Sequence, residues 1–201
     1  MPKGFVDLSA AIPGLRTDIR YATAHNLTGH PLSGYLAAKA VTTEEAAAAL
    51  SHAWQEARRL GYGMLVYDAY RPQKAVDDFV RWSQEPETGL TKAEFYPELD
   101  KADLFPLGYI ARQSGHSRGS TIDLTLTDGA DVPLDMGTCF DFMGARSHHG
   151  AAGLTESQRR NRELLRGLMT HAGFTPYQNE WWHYRLLDEP YPNTYFNFDI
   201  E

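Results

Sequence analysis

Ser114-Gly115-His116-Ser117-Arg118-Gly119-Ser120-Thr121-Ile122-Asp123-Leu124-Thr125-Leu126-Thr127 holds two patterns in one run. The second half alternates strictly. Ile122, Leu124 and Leu126 fall on one side and Thr121, Asp123, Thr125 and Thr127 on the other, which predicts a strand with an apolar core face. The first half carries glycine and serines that permit a bend. His116 and Asp123 are seven residues apart, so one regular strand would face them oppositely; a bend over 117–120 lets them converge. Far downstream, Glu180-Trp181-Trp182-His183 offers a second imidazole and a free carboxylate. Two histidines and an aspartate suffice for a three-ligand Zn²⁺ site whose fourth position stays open to water. A separate glutamate beside that water is what metal-assisted hydrolysis needs as general base.

The whole chain bounds that idea. At 201 residues it fits one domain, 1–201, with a core of its own. A net charge of −7 leaves no basic footprint for nucleic acid and disfavours an anionic membrane surface. Cys139 is the single cysteine, which excludes an internal disulfide framework and cysteine-rich zinc modules. Residues 1–11 lack the apolar run of a signal peptide, and no stretch approaches the roughly 18 apolar residues of a membrane span. The expected location is the cytoplasm.

Outward from the alternating run, Thr42 with Glu45 reads as a capping box opening a helix over Glu45–Leu60, stopped by Gly61 and Gly63. Met64-Leu65-Val66-Tyr67 reads as a short buried strand entering Asp68-Ala69-Tyr70-Arg71-Pro72, where the proline keeps Arg71 out of helical geometry. A second amphipathic helix covers Gln73–Ser83. Residues 5–36 read as irregular, and 84–109 as a long loop of the kind that often serves as a lid or binding loop, or else as a surface stretch with a short helix near Lys92–Tyr96. Asp128-Gly129 predicts a turn with a hairpin return through Val132 and Leu134. Thr155 and Gln158 repeat the capping-box pattern before a helix stopped by Gly173, and Tyr177–Leu186 reads as a terminal strand interrupted at Asn179-Glu180. Helices and strand pairs mix without a regular βαβ rhythm, so the fold class is α+β with a central antiparallel sheet flanked by helices.

Other chemistries compete for the same residues. His116 and His183 could be ordinary hydrogen-bonded histidines with Asp123 capping a turn; spacing alone does not decide, since no H-E-x-x-H helix fixes two ligands at once. Gly115-His116-Ser117-Arg118-Gly119 fits the nucleophile-elbow pattern, with Ser117 as nucleophile, but a β pattern follows where that elbow needs a helix. Glu180 and His183 would suit a di-iron bundle only with a second such pair, which is absent. His148 and His149 read as loop residues.

At these motifs the sequence resembles the zinc D-alanyl-D-alanine dipeptidases of vancomycin resistance, within the zinc DD-peptidases that share a fold with the hedgehog signalling domain. The group's S-x-H-x-x-G-x-A-x-D pattern matches at Ser114, His116, Gly119 and Asp123, with Thr121 standing where alanine is usual. Glu180-Trp181-Trp182-His183-Tyr184, Asp68-Ala69-Tyr70-Arg71-Pro72, the Asp135–His148 block and Asp18-Ile19-Arg20-Tyr21 look like further family blocks in the family's order. The resemblance implies one Zn²⁺ per chain on His116, Asp123 and His183, with Glu180 as base and acid and Arg71 stabilising the oxyanion. It also implies Tyr21 and Asp141 at the substrate ammonium, Ser114 on the carboxylate side, and Asp68 orienting Arg71 or a ligating histidine. The expected substrate is a small dipeptide, D-Ala-D-Ala, in a cell-wall context. A peptidoglycan carboxypeptidase and a non-catalytic zinc-stabilised binding module are the alternatives. Oligomeric state is left open.

Overall fold

The computed structural model describes residues 1–201. In chain order its elements are β1 (Phe5–Asp7), α1 (Leu8–Ala11), β2 (Arg16–Thr17), β3 (Val41–Thr43), α2 (Glu44–Arg59), β4 (Gly63–Asp68), α3 (Gln73–Gln84), α4 (Lys92–Phe95), α5 (Lys101–Leu104), β5 (Thr121–Thr127), α6 (Glu156–His171), β6 (Phe174–Pro176) and β7 (His183–Leu186). Five strands form the main sheet in the order β2-β4-β5-β7-β6, and β1 pairs with β3 in a separate ribbon. The α+β reading holds, with one qualification. Four strands of the main sheet are antiparallel neighbours, while the short edge strand β2 runs parallel to β4, so the sheet is mixed.

The alternating run became the central strand β5. Ile122, Leu124 and Leu126 are fully buried, and each contributes about 2 kcal/mol by leaving water. They belong to one continuous cluster of 43 buried side chains that also takes in Leu50, Ala53 and Ala57 of α2 and Leu165, Leu168 and Met169 of α6. The polar side of β5 is buried too, which the alternation did not predict. Phe140 packs against Tyr21, Tyr67 and Trp182 around the Asp123 side, and the hydroxyls of Thr121, Thr125 and Thr127 are buried without partners.

Several local expectations need correction. The first long helix is capped by Thr43, whose hydroxyl accepts the Ala46 N–H; Thr42 instead donates to the Gly119 carbonyl. The Thr155–Gln158 capping box forms as read. The return after Asp128-Gly129 makes only a bridge between Thr127 and Pro133, with backbone bonds from Asp128 N–H to Val132 and from Leu134 N–H to Leu126, because Pro133 cannot donate to a ladder. Tyr177–Leu186 is not one strand: β6 and β7 form a hairpin, and Glu180 lies in its turn. The 5–36 region holds β1, α1 and β2, too short to leave a periodic signal. No helix is long and apolar enough to cross a membrane.

His116 sits in a short 3₁₀ turn, Gly115–Arg118, immediately before β5. The turn ends on Gly119 at φ +85°, and a Cβ there would lie 2.4 Å from the Phe5 ring. Both the left-handed backbone and the contact exclude other residues. Gly119→Ala should therefore cost about 3 kcal/mol of stability, read as a lowered urea midpoint. A loss under about 1 kcal/mol would mean the turn can relax, contrary to this packing.

Candidate metal centre

Register across three neighbouring strands builds the site. Asp123 of β5 pairs with His183 of β7 on one side and with Asp68 of β4 on the other. The second pairing depends on an irregularity between Val66 and Asp68 that brings the Asp68 carboxyl to the Asp123 row. The 3₁₀ turn then folds His116 back over the row. His116 Nε2 lies 3.2 Å from Asp123 Oδ2 and 3.3 Å from His183 Nδ1, and His183 Nδ1 lies 3.1 Å from Asp123 Oδ1.

These separations discriminate between readings. Donors at about 2.0–2.1 Å from one tetrahedral ion stand about 3.3 Å from each other. His116 Nδ1 is 2.6 Å from the Ala69 carbonyl, so that nitrogen carries the proton and Nε2 presents its lone pair to the cluster. Asp123 Oδ1 is buried with no hydrogen-bond partner. A lone pair and an orphaned carboxylate oxygen facing one point, beside a second imidazole, fit a cation between them. Two imidazoles and one carboxylate suit zinc. The Thr121 hydroxyl points against Gly115, where a Cβ would be 2.8 Å away, and displaces no ligand.

Glu180 Oε2 comes within 3.4 Å of His183 Nδ1 from the hairpin turn. Burial pushes its carboxyl up to about 7, opposed by His183 and assisted by Asp123. Asp123 behaves in the opposite way. Burial opposes its charge, yet His116 and His183 hold it well below the usual carboxylate range.

Arg71 reaches in from the end of β4. Its Nε donates to Asp68 Oδ2 at 2.9 Å, its Nη2 lies 3.5 Å from Asp123 Oδ2, and its guanidinium carbon lies 4.6 Å from the centre of the Tyr21 ring and 5.2 Å from that of Phe79. Asp68 Oδ2 is also 3.4 Å from His116 Nδ1, and Tyr35 donates to Asp68 Oδ1 at 2.6 Å. Tyr21 hydroxyl meets both oxygens of Asp141, at 2.9 and 2.8 Å. Burial raises Asp141 to about 8, opposed by Arg71 and Tyr21. Ser114 lines the cleft, and its hydroxyl accepts the His116 N–H at 3.3 Å, so part of its work is capping the turn.

All nine residues singled out from sequence thus gather around one cleft of about 260 Å³. Three contributors were not foreseen. Tyr35 lies in an aperiodic stretch, the Ala69 carbonyl is backbone, and Tyr109, bonded to His148 Nε2 at 2.8 Å, comes from the irregular 84–109 region. No residue pattern marks any of them.

A buried His–Asp–His cluster with a free glutamate at its edge is the constellation of a metal-dependent hydrolase. A family model described as D-Ala-D-Ala dipeptidase, peptidase M15, matches residues 1–201. The chain is 49% identical over 202 residues to the D-alanyl-D-alanine dipeptidase of Enterococcus faecalis, covering 100% of both chains. It is 47% identical over 201 residues to that of Streptomyces coelicolor, again covering 100% of both, and 35% identical over 181 residues to that of Escherichia coli, covering 90% of this chain and 83% of the relative. The chain belongs to the M15 family of D-Ala-D-Ala dipeptidases, which makes it a metallopeptidase.

Titrating Zn²⁺ into the metal-free protein should raise its melting temperature and saturate at one ion per chain. At free zinc 100 times the dissociation constant the gain is about 2.7 kcal/mol. His183→Ala should abolish the shift. A shift surviving in that variant would place the ion elsewhere.

Proposed function

We propose that this chain hydrolyses D-alanyl-D-alanine to two D-alanines, with one Zn²⁺ held by His116, Asp123 and His183. The observation that carries this reading is the charge imbalance of the cleft. Four buried carboxyls, those of Asp68, Asp123, Asp141 and Glu180, surround the single guanidinium of Arg71. A divalent cation and the ammonium of a free dipeptide supply the missing positive charge. Burial leaves Glu180 and Asp141 poised at about 7 and 8, and each becomes a full anion when its cation arrives.

Zinc held there by His116, Asp123 and His183 would supply a Lewis acid that makes water acidic enough to attack near neutral pH. Glu180, at the edge of these three residues, is placed to take a proton from the attacking water and to return one to the leaving amine. Arg71 is held protonated: burial opposes its charge, but Tyr21, Asp68 and Asp123 together raise its pKa well above the ordinary value. Its fixed charge stabilises the negative oxygen that develops on the attacked carbonyl. Asp141, hydrogen-bonded by Tyr21, takes the substrate ammonium, and Ser114 lies on the carboxylate side. A carboxylate placed to take a free ammonium favours a dipeptide over a longer stem peptide, which has no free amine at that position.

Release of D-alanine by the purified protein, with zinc content measured on the same sample, tests the reading. Glu180→Gln should keep its zinc and lose about 10²–10⁴-fold in kcat. Unchanged turnover in that variant would remove Glu180 from the mechanism, and no turnover in the wild type would favour a zinc-stabilised binding module. Faster cleavage of a pentapeptide than of the dipeptide would point to a carboxypeptidase. The pH profile carries a sign. Without metal the Glu180 carboxyl stands at about 7, and a neighbouring dication favours its anion, so the acid limb of kcat/KM should have its midpoint below 7. A midpoint above that value would argue that another group is the base.

A further inference from the structure

We infer that Tyr35 is a positioning residue for hydrolysis, fixing the Asp68 carboxyl so that Asp68 in turn aims Arg71 at the reacting carbonyl; this rests on the role given to Arg71 above. Asp68 is fully buried, and its two oxygens have separate tasks. Oδ1 accepts the Tyr35 hydroxyl at 2.6 Å, while Oδ2 accepts Arg71 Nε at 2.9 Å and lies 3.4 Å from His116 Nδ1. With both oxygens bonded, the plane of the carboxyl is set. With Oδ1 free, the carboxyl can turn about its last torsion and no longer holds the guanidinium in one orientation. Asp68 is the one partner within 3.0 Å of the Arg71 side chain: the contact to Asp123 is 3.5 Å, the Tyr21 and Phe79 rings offer only their faces, and the Tyr35 phenol, which also senses the Arg71 charge, donates its proton to Asp68.

The phenol is itself aimed. Tyr35 is buried, its backbone bridges Ile200 near the C-terminus, and the N–H groups of Leu36 and Ala37 both donate to the Ile200 carbonyl at 3.0 Å. Its ring meets the Tyr21 ring edge-on at 6.0 Å, so the tyrosine that faces Asp141 and the one that faces Asp68 are packed as a pair. A merely space-filling ring would not need its hydroxyl directed at a buried carboxyl. The path to the metal is weaker, because His116 Nδ1 keeps its bond to the Ala69 carbonyl at 2.6 Å whatever Asp68 does. Loss of the hydroxyl should therefore act mainly on turnover and less on zinc retention.

Tyr35→Phe keeps the ring and removes only the donor. In the zinc-loaded enzyme kcat should fall 10- to 100-fold with KM within about threefold, and the zinc dissociation constant, measured by chelator competition, should rise less than about tenfold. In an Asp68→Ala background, where no side-chain acceptor remains for the phenol, adding Tyr35→Phe should change kcat by less than about twofold. The inference is overturned if the loaded Tyr35→Phe enzyme keeps its kcat, if the loss persists in the Asp68→Ala background, or if weaker zinc binding accounts for the whole fall. Failure of the wild type to release D-alanine would instead overturn the proposed function, so the two failures are separable.

Discussion

Everything in the site depends on one row of the sheet. β4, β5 and β7 lie side by side, and their pairing brings Asp68, Asp123 and His183 level with one another. A strand register is discrete, and a slip of one residue turns every side chain to the opposite face. The metal cluster is thus specified by the same backbone bonds that place Ile122, Leu124 and Leu126 in the core. Any arrangement that buries those three residues also turns Asp123 to the opposite face, toward His183. The irregularity at Val66–Asp68 is the one local departure, and it brings the second carboxyl into line.

That row concentrates charge where water is scarce. Burying a lone carboxylate costs several kcal/mol, and the protein offsets this differently at each position. Asp123 faces the two imidazoles, and Asp68 is paired with Arg71 and hydrogen-bonded by the Tyr35 phenol. Glu180 and Asp141 receive only partial compensation, which is why burial dominates both. Groups left in that state bind or transfer protons readily near neutral pH. The incomplete compensation is thus a functional property and not a defect in packing.

How much of this could be read in advance varied with the period of the element. The alternation of 121–127, the helix over 45–60 and the Thr155 capping box carry signals from local physics alone, and all three appear within a residue or so of their expected bounds. The grouping of His116, Asp123 and His183, with Glu180 at its edge, was legible because these residues are chemically distinctive and lie beside predictable strands. Burial of the Thr face was not legible, since what covers it comes from an aperiodic segment distant in sequence. Nor was the hairpin around Glu180, where Tyr177 N–H bonds to the His183 carbonyl across five intervening residues that a continuous strand would have kept extended. Tyr35 lay outside any pattern for the same reason: its partner is 33 residues away and is met only in the folded chain.

The segment bearing Asp141 has no ladder to hold it, and Asp141 itself takes a left-handed backbone at φ +62°. It is held instead by scattered backbone bonds, such as Met143 N–H to the Phe95 carbonyl at 2.6 Å, and by side chains. Arg162 of α6, itself buried, donates to the carbonyls of Met136, Arg146 and His148 at 2.6, 3.0 and 3.0 Å. Each such charged bond contributes about 1.5–3 kcal/mol, and all three would be lost with one residue. Trp181 closes the other side. Its indole N–H donates to Thr138 Oγ1 at 2.8 Å and its backbone N–H to the Ser147 carbonyl at 3.0 Å. Because Trp181 follows Glu180 directly, the loop that carries Asp141 and the turn that carries Glu180 are bonded to each other. A shift in either would move the other, so the spacing of the Asp141 and Glu180 carboxyls across the cleft is set by this pair of irregular segments as firmly as Asp68, Asp123 and His183 are set by the sheet.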